Sequence, residues 1–402
     1  MSHNQSNPKD KQTTALNAWF VFSVASLILC LYGTHAVRKL LDPTFDPYRV
    51  LGSFYASGSA ASHHLNPYRL YPMTWHFHPY SHGPIIYDVN LNPPCVLPLF
   101  QLLSIFQIRS DVVVWTAIST VLIILSVATM LAALKGQMQK RQIAWLLLST
   151  SALDTLWYGQ DYSLVLILVC LAWLLTRLSK EIQGALLIGI VIAIKPNLGL
   201  WPVFLFIAGY KRSAIVSGSV ALLLSIFPMF LYGPQIYSQW LYADSQVPHW
   251  MFPSDVSLAG VFTRLGSRPV GVLLALALAG TLLAFVRKFR PTQANIAGIS
   301  ICAGILCAPL AWYNYLLFAA PLFALKKWRW METCAAVLMT FPRVFEDRAM
   351  GKGRLLVFVM GLPQLVGICL MLVAFLRRSQ TAEVPDSSKA LETIDTGQEC
   401  PA

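Results

Sequence analysis

Apolar runs recur along nearly the whole chain, beginning near Ala15, Asn92, Val112, Ile143, Tyr162, Ala185, Leu198, Ala214, Val270, Asn295, Trp312, Met331 and Leu355. No water-soluble domain has enough interior to cover so many. A bilayer supplies the apolar surroundings instead, and it admits only helices or closed barrels. Composition agrees, with 56% of residues hydrophobic and 12% charged, where soluble domains carry about 25% charge. The expected fold is an all-α polytopic integral membrane protein. Several runs fall short of the ~20 residues of a full span, so we expect about ten to twelve spans, some of them broken.

The charges orient these spans. The chain carries 30 Lys+Arg against 18 Asp+Glu, a net +12. From Lys140 onward Arg177/Lys180, Lys211/Arg212, Arg287/Lys288/Arg290, Lys326/Lys327/Arg329 and Arg377/Arg378 recur at every second boundary, which predicts that those loops are cytoplasmic. By the same count Gly159–Asp161, Lys195–Asn197, the 233–268 loop and Trp312–Tyr315 share the opposite, extracytoplasmic face. The excess of basic residues needs no nucleic acid to explain it, since no Lys/Arg-rich arm is interleaved with aromatics. The expected organisation is a cytoplasmic segment 1–14, a membrane domain 15–378 with long extracytoplasmic loops at 37–90 and 233–268, and a disordered acidic tail 379–402. The Asn92–Ile108 piece, with Pro93, Pro94 and Pro98, is short for a span and reads as re-entrant or interfacial. The eight cysteines lie mostly inside apolar runs and form neither C-x-x-C pairs nor a disulfide framework.

Long loops carry function more often than they carry stability. Five of the eight histidines fall in the 37–90 loop, as His63, His64, His76, His78 and His82. They would suit an imidazole metal site, but no H-E-x-x-H or carboxylate at ligand spacing accompanies them, and the interfacial or hydrogen-bonding reading is preferred. Scarce carboxylates are more informative. Asp46, soon after the first run, could deprotonate a hydroxyl, but by itself reads first as a turn cap in Phe45-Asp46-Pro47. Lys195 interrupts apolar sequence and is followed by Pro196-Asn197. It either snorkels to the surface or faces an anion in a cavity, and the break favours the cavity. Gln160-Asp161 and Trp312-Tyr313-Asn314-Tyr315 add amides, a carboxylate and aromatic platforms on the face assigned to the lysine.

The order of these pieces resembles glycosyltransferase family 87. The likeness rests on Asp46-Pro47-Tyr48, Tyr55-Ala56, Asn66-Pro67-Tyr68, Asn92-Pro93-Pro94, Gly159-Gln160-Asp161, Gly189 to Pro196, Ser257-Leu258-Ala259-Gly260 to Arg264, and Ala308-Pro309 to Tyr315. Asn314 stands where the family usually has His. The resemblance implies a bundle of the GT-C type in the bacterial inner membrane that moves a sugar, mannose first among the candidates, from a polyprenyl-phosphate donor to a hydroxyl of a glycolipid or glycan acceptor. It implies Asp46 as general base, Lys195 and Arg264 on the donor phosphate, and Tyr48, Asn66, Tyr68, Gln160, Asp161, Asn197, Ser257, Trp312 and Asn314 binding sugar or acceptor or orienting the base. No metal or other cofactor is expected, because phosphate is already a good leaving group. The rival readings are a flippase or transporter of lipid-linked sugars, for which broken spans serve equally well, and an inactive glycan-binding membrane protein.

Overall fold

The computed structural model describes residues 49–77, 86–134, 139–246, 255–324, 328–341 and 354–381. The first apolar run, Asp46, Tyr48, His78, His82 and the tail beyond Thr381 lie outside the described residues. Within them the chain is helical, apart from a pair of two-residue strands, β1 (His76–Phe77) and β2 (Ile86–Tyr87).

The segment expected as the loop 37–90 holds a helix, α1 (Arg49–Ser62), buried along most of its length. Its inward positions include Ser53, Ala56, Ser57, Gly58, Ala60 and Ala61. Such small residues give no strong hydropathy signal, yet they let a backbone approach another closely. α1 packs on α2 (Leu97–Leu103), which follows a 3-10 turn at Pro94–Val96. Phe54 and Phe100 stack at 4.5 Å between centroids. From Pro94 to Leu103 the helical piece is about 15 Å long, half the apolar thickness of a bilayer.

Next come α3 (Ile108–Ala133), α4 (Lys140–Leu148), α5 (Thr150–Tyr158), α6 (Tyr162–Arg177) and α7 (Glu181–Ile194). They are followed by α8 (Leu200–Ala208), α9 (Lys211–Tyr232), α10 (Gln235–Ser245) and α11 (Leu258–Arg264), so the 233–268 loop also carries helices. The remainder comprises α12 (Arg268–Phe289), α13 (Gln293–Leu306), the short α14 (Ala320–Phe323), α15 (Trp330–Met339) and α16 (Arg354–Thr381), which enters the first residues of the segment assigned to the tail. Side-chain oxygens of Ser149, Ser257 and Thr292 cap α5, α11 and α13.

Among the described residues four helices are long and apolar enough to cross a membrane, over Val112–Ala133, Lys211–Tyr232, Arg268–Phe289 and Arg354–Arg377. Their exposed leucines and phenylalanines, Leu223, Phe230, Leu273 and Leu276 among them, face outward as lipid contacts would. Shorter apolar helices fill the inside. α13 is buried almost throughout, against α8 and α16. The run from Trp312 is not a span. It is a 3-10 segment, Tyr313–Ala319, that leads into α14, and its apolarity reflects a packed core rather than contact with lipid.

A break in helical structure separates α7 from α8. Pro196 disfavours helical geometry at Lys195, whose ψ is 84°, and a 3-10 turn at Pro196–Leu198 bridges the gap before α8 begins. α6 and α7 pack side by side and run in opposite senses, so the start of α6 and the end of α7 meet at one end of the bundle. Arg177 and Lys180 mark the other.

The contact between α1 and α2 leaves no room for a side chain at Gly58, where a Cβ would sit 2.0 Å from the Phe100 carbonyl oxygen, whereas one at Gly218 would meet nothing within 4 Å. Gly58→Ala is expected to cost about 1–3 kcal/mol and to lower the thermal midpoint of the purified protein in detergent. Gly218→Ala should leave that midpoint unchanged or raise it.

Candidate functional site

Lys195 ends α7 and Asp161 precedes the first turn of α6. A cation at a helix C-terminus and an anion at a helix N-terminus are both favoured by the helix dipole, and here the two charges meet. Lys195 Nζ donates to Asp161 Oδ1 at 3.0 Å and to Asn92 Oδ1 at 2.6 Å. The ammonium also lies 4.6 Å from the ring centroid of Tyr162 and 5.8 Å from that of Tyr315. Lys195 is 3% exposed and Asp161 0%. Of the two alternatives for the lysine, the cavity is realised, and the nearest anion is the protein's own carboxylate. An ammonium has three N–H groups, and two are committed to Asn92 and Asp161.

A hydrogen-bonded chain runs from α1 to this lysine. Ser57 Oγ donates to the Pro67 carbonyl at 2.7 Å and accepts from Asn90 Nδ2 at 2.9 Å. Asn90 Oδ1 accepts from the Asn92 backbone at 3.0 Å and side chain at 3.2 Å. The Tyr68 hydroxyl donates to the Asn92 carbonyl at 3.1 Å, and Asn66 Oδ1 accepts from Tyr68 N at 2.9 Å. Asn66 and Tyr68, expected to touch sugar or acceptor, are thus part of the frame that aims Asn92.

Beside Lys195 opens a cleft of about 730 Å³, its mouth included. Gln160, Trp312 and Asn314 line it with the lysine, as does a second group, Trp75, Asp88 and Asn92, to which the sequence reading assigned no role. Gln160 reaches the wall because Gly159 ends α5 at φ 68° and turns the chain. A Cβ on Gly159 would also meet Leu51 at 2.9 Å. Asp161 stands behind Lys195 rather than in the described wall. Asn197 Nδ2 donates to the Leu310 carbonyl at 2.8 Å and ties the break between α7 and α8 to the segment that carries Trp312. Ser257 caps α11, and Arg264, 2% exposed, donates to the Asp255 carbonyl at 2.9 Å. Neither is among the described lining residues. Asp46 and Tyr48 lie outside the described residues, although Val50, four positions after Asp46, lines the cleft.

Asp255 holds the opposite wall in place. Its Oδ1 accepts from Ser257 N and from Ala311 N, both at 3.0 Å, and Val256 N donates to the Ala311 carbonyl at 2.8 Å. The segment bearing Trp312 and Asn314 is thereby fastened to the start of α11. Burial pushes the Asp255 carboxyl up to about 6, against the lowering effect of these donors and of Arg264.

Among the described residues no group of three His, Cys, Asp or Glu side chains is placed to hold a metal. His63 Nδ1 donates to the Ser59 carbonyl at 2.8 Å, a local bond at the end of α1.

Two outcomes follow from these charges. Asp161→Asn leaves a buried ammonium without its counter-charge, an expected loss of roughly 3–5 kcal/mol in unfolding experiments. The double variant Asp161→Leu/Lys195→Met should recover most of that stability without recovering activity. For Asp255 the folded protein holds a proton that the unfolded chain releases between its ordinary 3.8 and about 6, so stability falls as pH rises through that window. Asp255→Asn keeps an acceptor oxygen and removes the charge. It should flatten that part of the pH dependence in thermal melts.

No curated protein and no solved structure matches the chain. A family model does match, described as glycosyltransferase family 87 and covering residues 90–312, more than half of the chain. The match takes in Asn92, Lys195 and Trp312, which line the cleft, and Asp161, which pairs with the lysine. With its membrane helices and this cleft, the chain therefore belongs to glycosyltransferase family 87, a family of enzymes that transfer sugars.

Proposed function

We propose that the protein transfers a sugar, mannose first among the candidates, from a polyprenyl-phosphate donor to an acceptor hydroxyl. The observation that carries this reading is Lys195, a buried ammonium seated on two aromatic rings at the wall of a cleft. Its third N–H is available to a phosphate oxygen. Asp161 offsets the lysine's charge at rest.

The acceptor oxygen attacks the anomeric carbon as the bond from that carbon to the phosphate oxygen breaks, in one displacement that inverts configuration. Asp46 takes the acceptor's proton. The leaving polyprenyl phosphate gains a negative charge next to Lys195, where a low dielectric strengthens the attraction. No metal is assigned a step. Basic residues at the end of α6 and the start of α9 lie away from the cleft, which supports an extracytoplasmic site, and the bacterial inner membrane is the location that the family resemblance implies.

Transfer of labelled mannose from polyprenyl-phosphate-mannose by protein in nanodiscs tests the reading. Lys195→Met should lower kcat by roughly 10²- to 10³-fold and Asp46→Asn by roughly 10²- to 10⁴-fold, with rates unchanged by EDTA. Transport of the lipid-linked sugar across the bilayer without transfer would replace this reading with that of a flippase.

A further inference from the structure

The residues after α1 return to the cleft as a narrow two-stranded ribbon whose two sides face different surroundings. His76 pairs with Tyr87 and Phe77 with Ile86 in antiparallel register. Continuing that register by one pair sets Trp75 opposite Asp88, and the Asp88 N–H donates to the Trp75 carbonyl at 2.8 Å. Residues directly opposite one another in such a ladder project to the same side, and successive pairs alternate. Trp75 and Asp88 accordingly both line the cleft with Lys195. His76 and Tyr87, their rings 5.7 Å apart, line a separate hollow on the other side.

The Trp75–Asp88 pair is held firmly. Ser53 Oγ, 2% exposed on α1, donates to the Asp88 carbonyl at 2.6 Å and accepts from Trp75 N at 2.9 Å. Tyr158 meets the Trp75 ring at 5.5 Å and 59°. Both side chains are half-buried, with part of their surface turned to the cleft. Asp88 is the one carboxylate among the described residues of the wall.

An indole face beside a fixed carboxylate matches the two kinds of surface on a sugar ring. The C–H face packs on the aromatic plane, and the hydroxyls need acceptors, which a carboxylate supplies. We propose that Trp75 and Asp88 form the subsite for the transferred sugar ring and that Asp88 decides which hydroxyl pattern is accepted. This rests on the glycosyl-transfer reading above and extends it to the sugar.

Calorimetric binding to protein in nanodiscs separates the two. The probes are farnesyl phosphate, farnesyl-phosphate-mannose, a series of its monodeoxy analogues, and a nucleoside-diphosphate mannose, measured on wild type, Asp88→Asn and His76→Ala. We expect Asp88→Asn to weaken the mannosylated lipid roughly ten- to a hundredfold while farnesyl phosphate binds as before. One or two monodeoxy analogues should lose a similar factor on wild type and no further on Asp88→Asn, and His76→Ala, on the other side of the ribbon, should match wild type. Equal weakening of farnesyl phosphate, or unchanged discrimination among the deoxy series, would overturn the assignment. If wild type prefers the nucleotide sugar to every polyprenyl-type lipid, the donor class falls, and the same comparison of Asp88→Asn on that sugar still decides the subsite.

Discussion

A charged lysine inside an apolar bundle has to be compensated, and the compensation organises this protein. Lys195 is reached at the end of α7, and Asp161 by the sharp turn at Gly159. Their pairing requires the end of α7 and the start of α6 to lie level. Two helix termini, each carrying the charge its dipole favours, are brought together where an uninterrupted span would have buried only aliphatic side chains. Desolvation of such a pair offsets much of its Coulomb attraction, so stability alone does not account for it. A polar, aromatic-walled cleft opening beside the pair does.

Around that pair the walls are attached rather than merely adjacent. Ser57, Asn90 and Asn92 link α1 to the lysine. Ser53 links α1 to the ribbon carrying Trp75 and Asp88, and Asp255 clamps the segment bearing Trp312 and Asn314. α1 thus serves two walls from successive turns of one face, which explains its small, hydroxyl-bearing inward residues. The lipid-facing helices contribute little to the cleft itself. They supply the apolar exterior that lets short, irregular and polar elements sit at membrane depth without exposing backbone groups to lipid.

Much of this was legible in the residues. The membrane class followed from apolar runs, Lys195 was conspicuous as a cation among aliphatics, and Gln160, Trp312 and Asn314 were singled out as polar or aromatic ends of runs and do share the cleft with it. Other parts were not legible. α1 was concealed because helices that pack on protein through Ser, Gly and Ala look like polar loop. Asn66, Tyr68, Asn197 and Ser257 are motif residues with structural bonds, a distinction that spacing does not encode. Asp88 and Trp75 are separated along the chain and become neighbours only through strand register. The scarcity of carboxylates, 18 in the whole chain, was the one signal pointing to Asp88.

By itself the sequence determined the solvent in which this chain folds, the helical class and the places where spans must break, because hydropathy, charge and proline act locally along a backbone. Tertiary structure alone decided which of the polar breaks face one another. Asp161 became the partner of Lys195, Asp255 became a clamp and Trp75 came to lie beside Asp88 through packing between distant segments. The energy of each such contact depends on burial and on bond geometry, and neither exists until the helices have assembled.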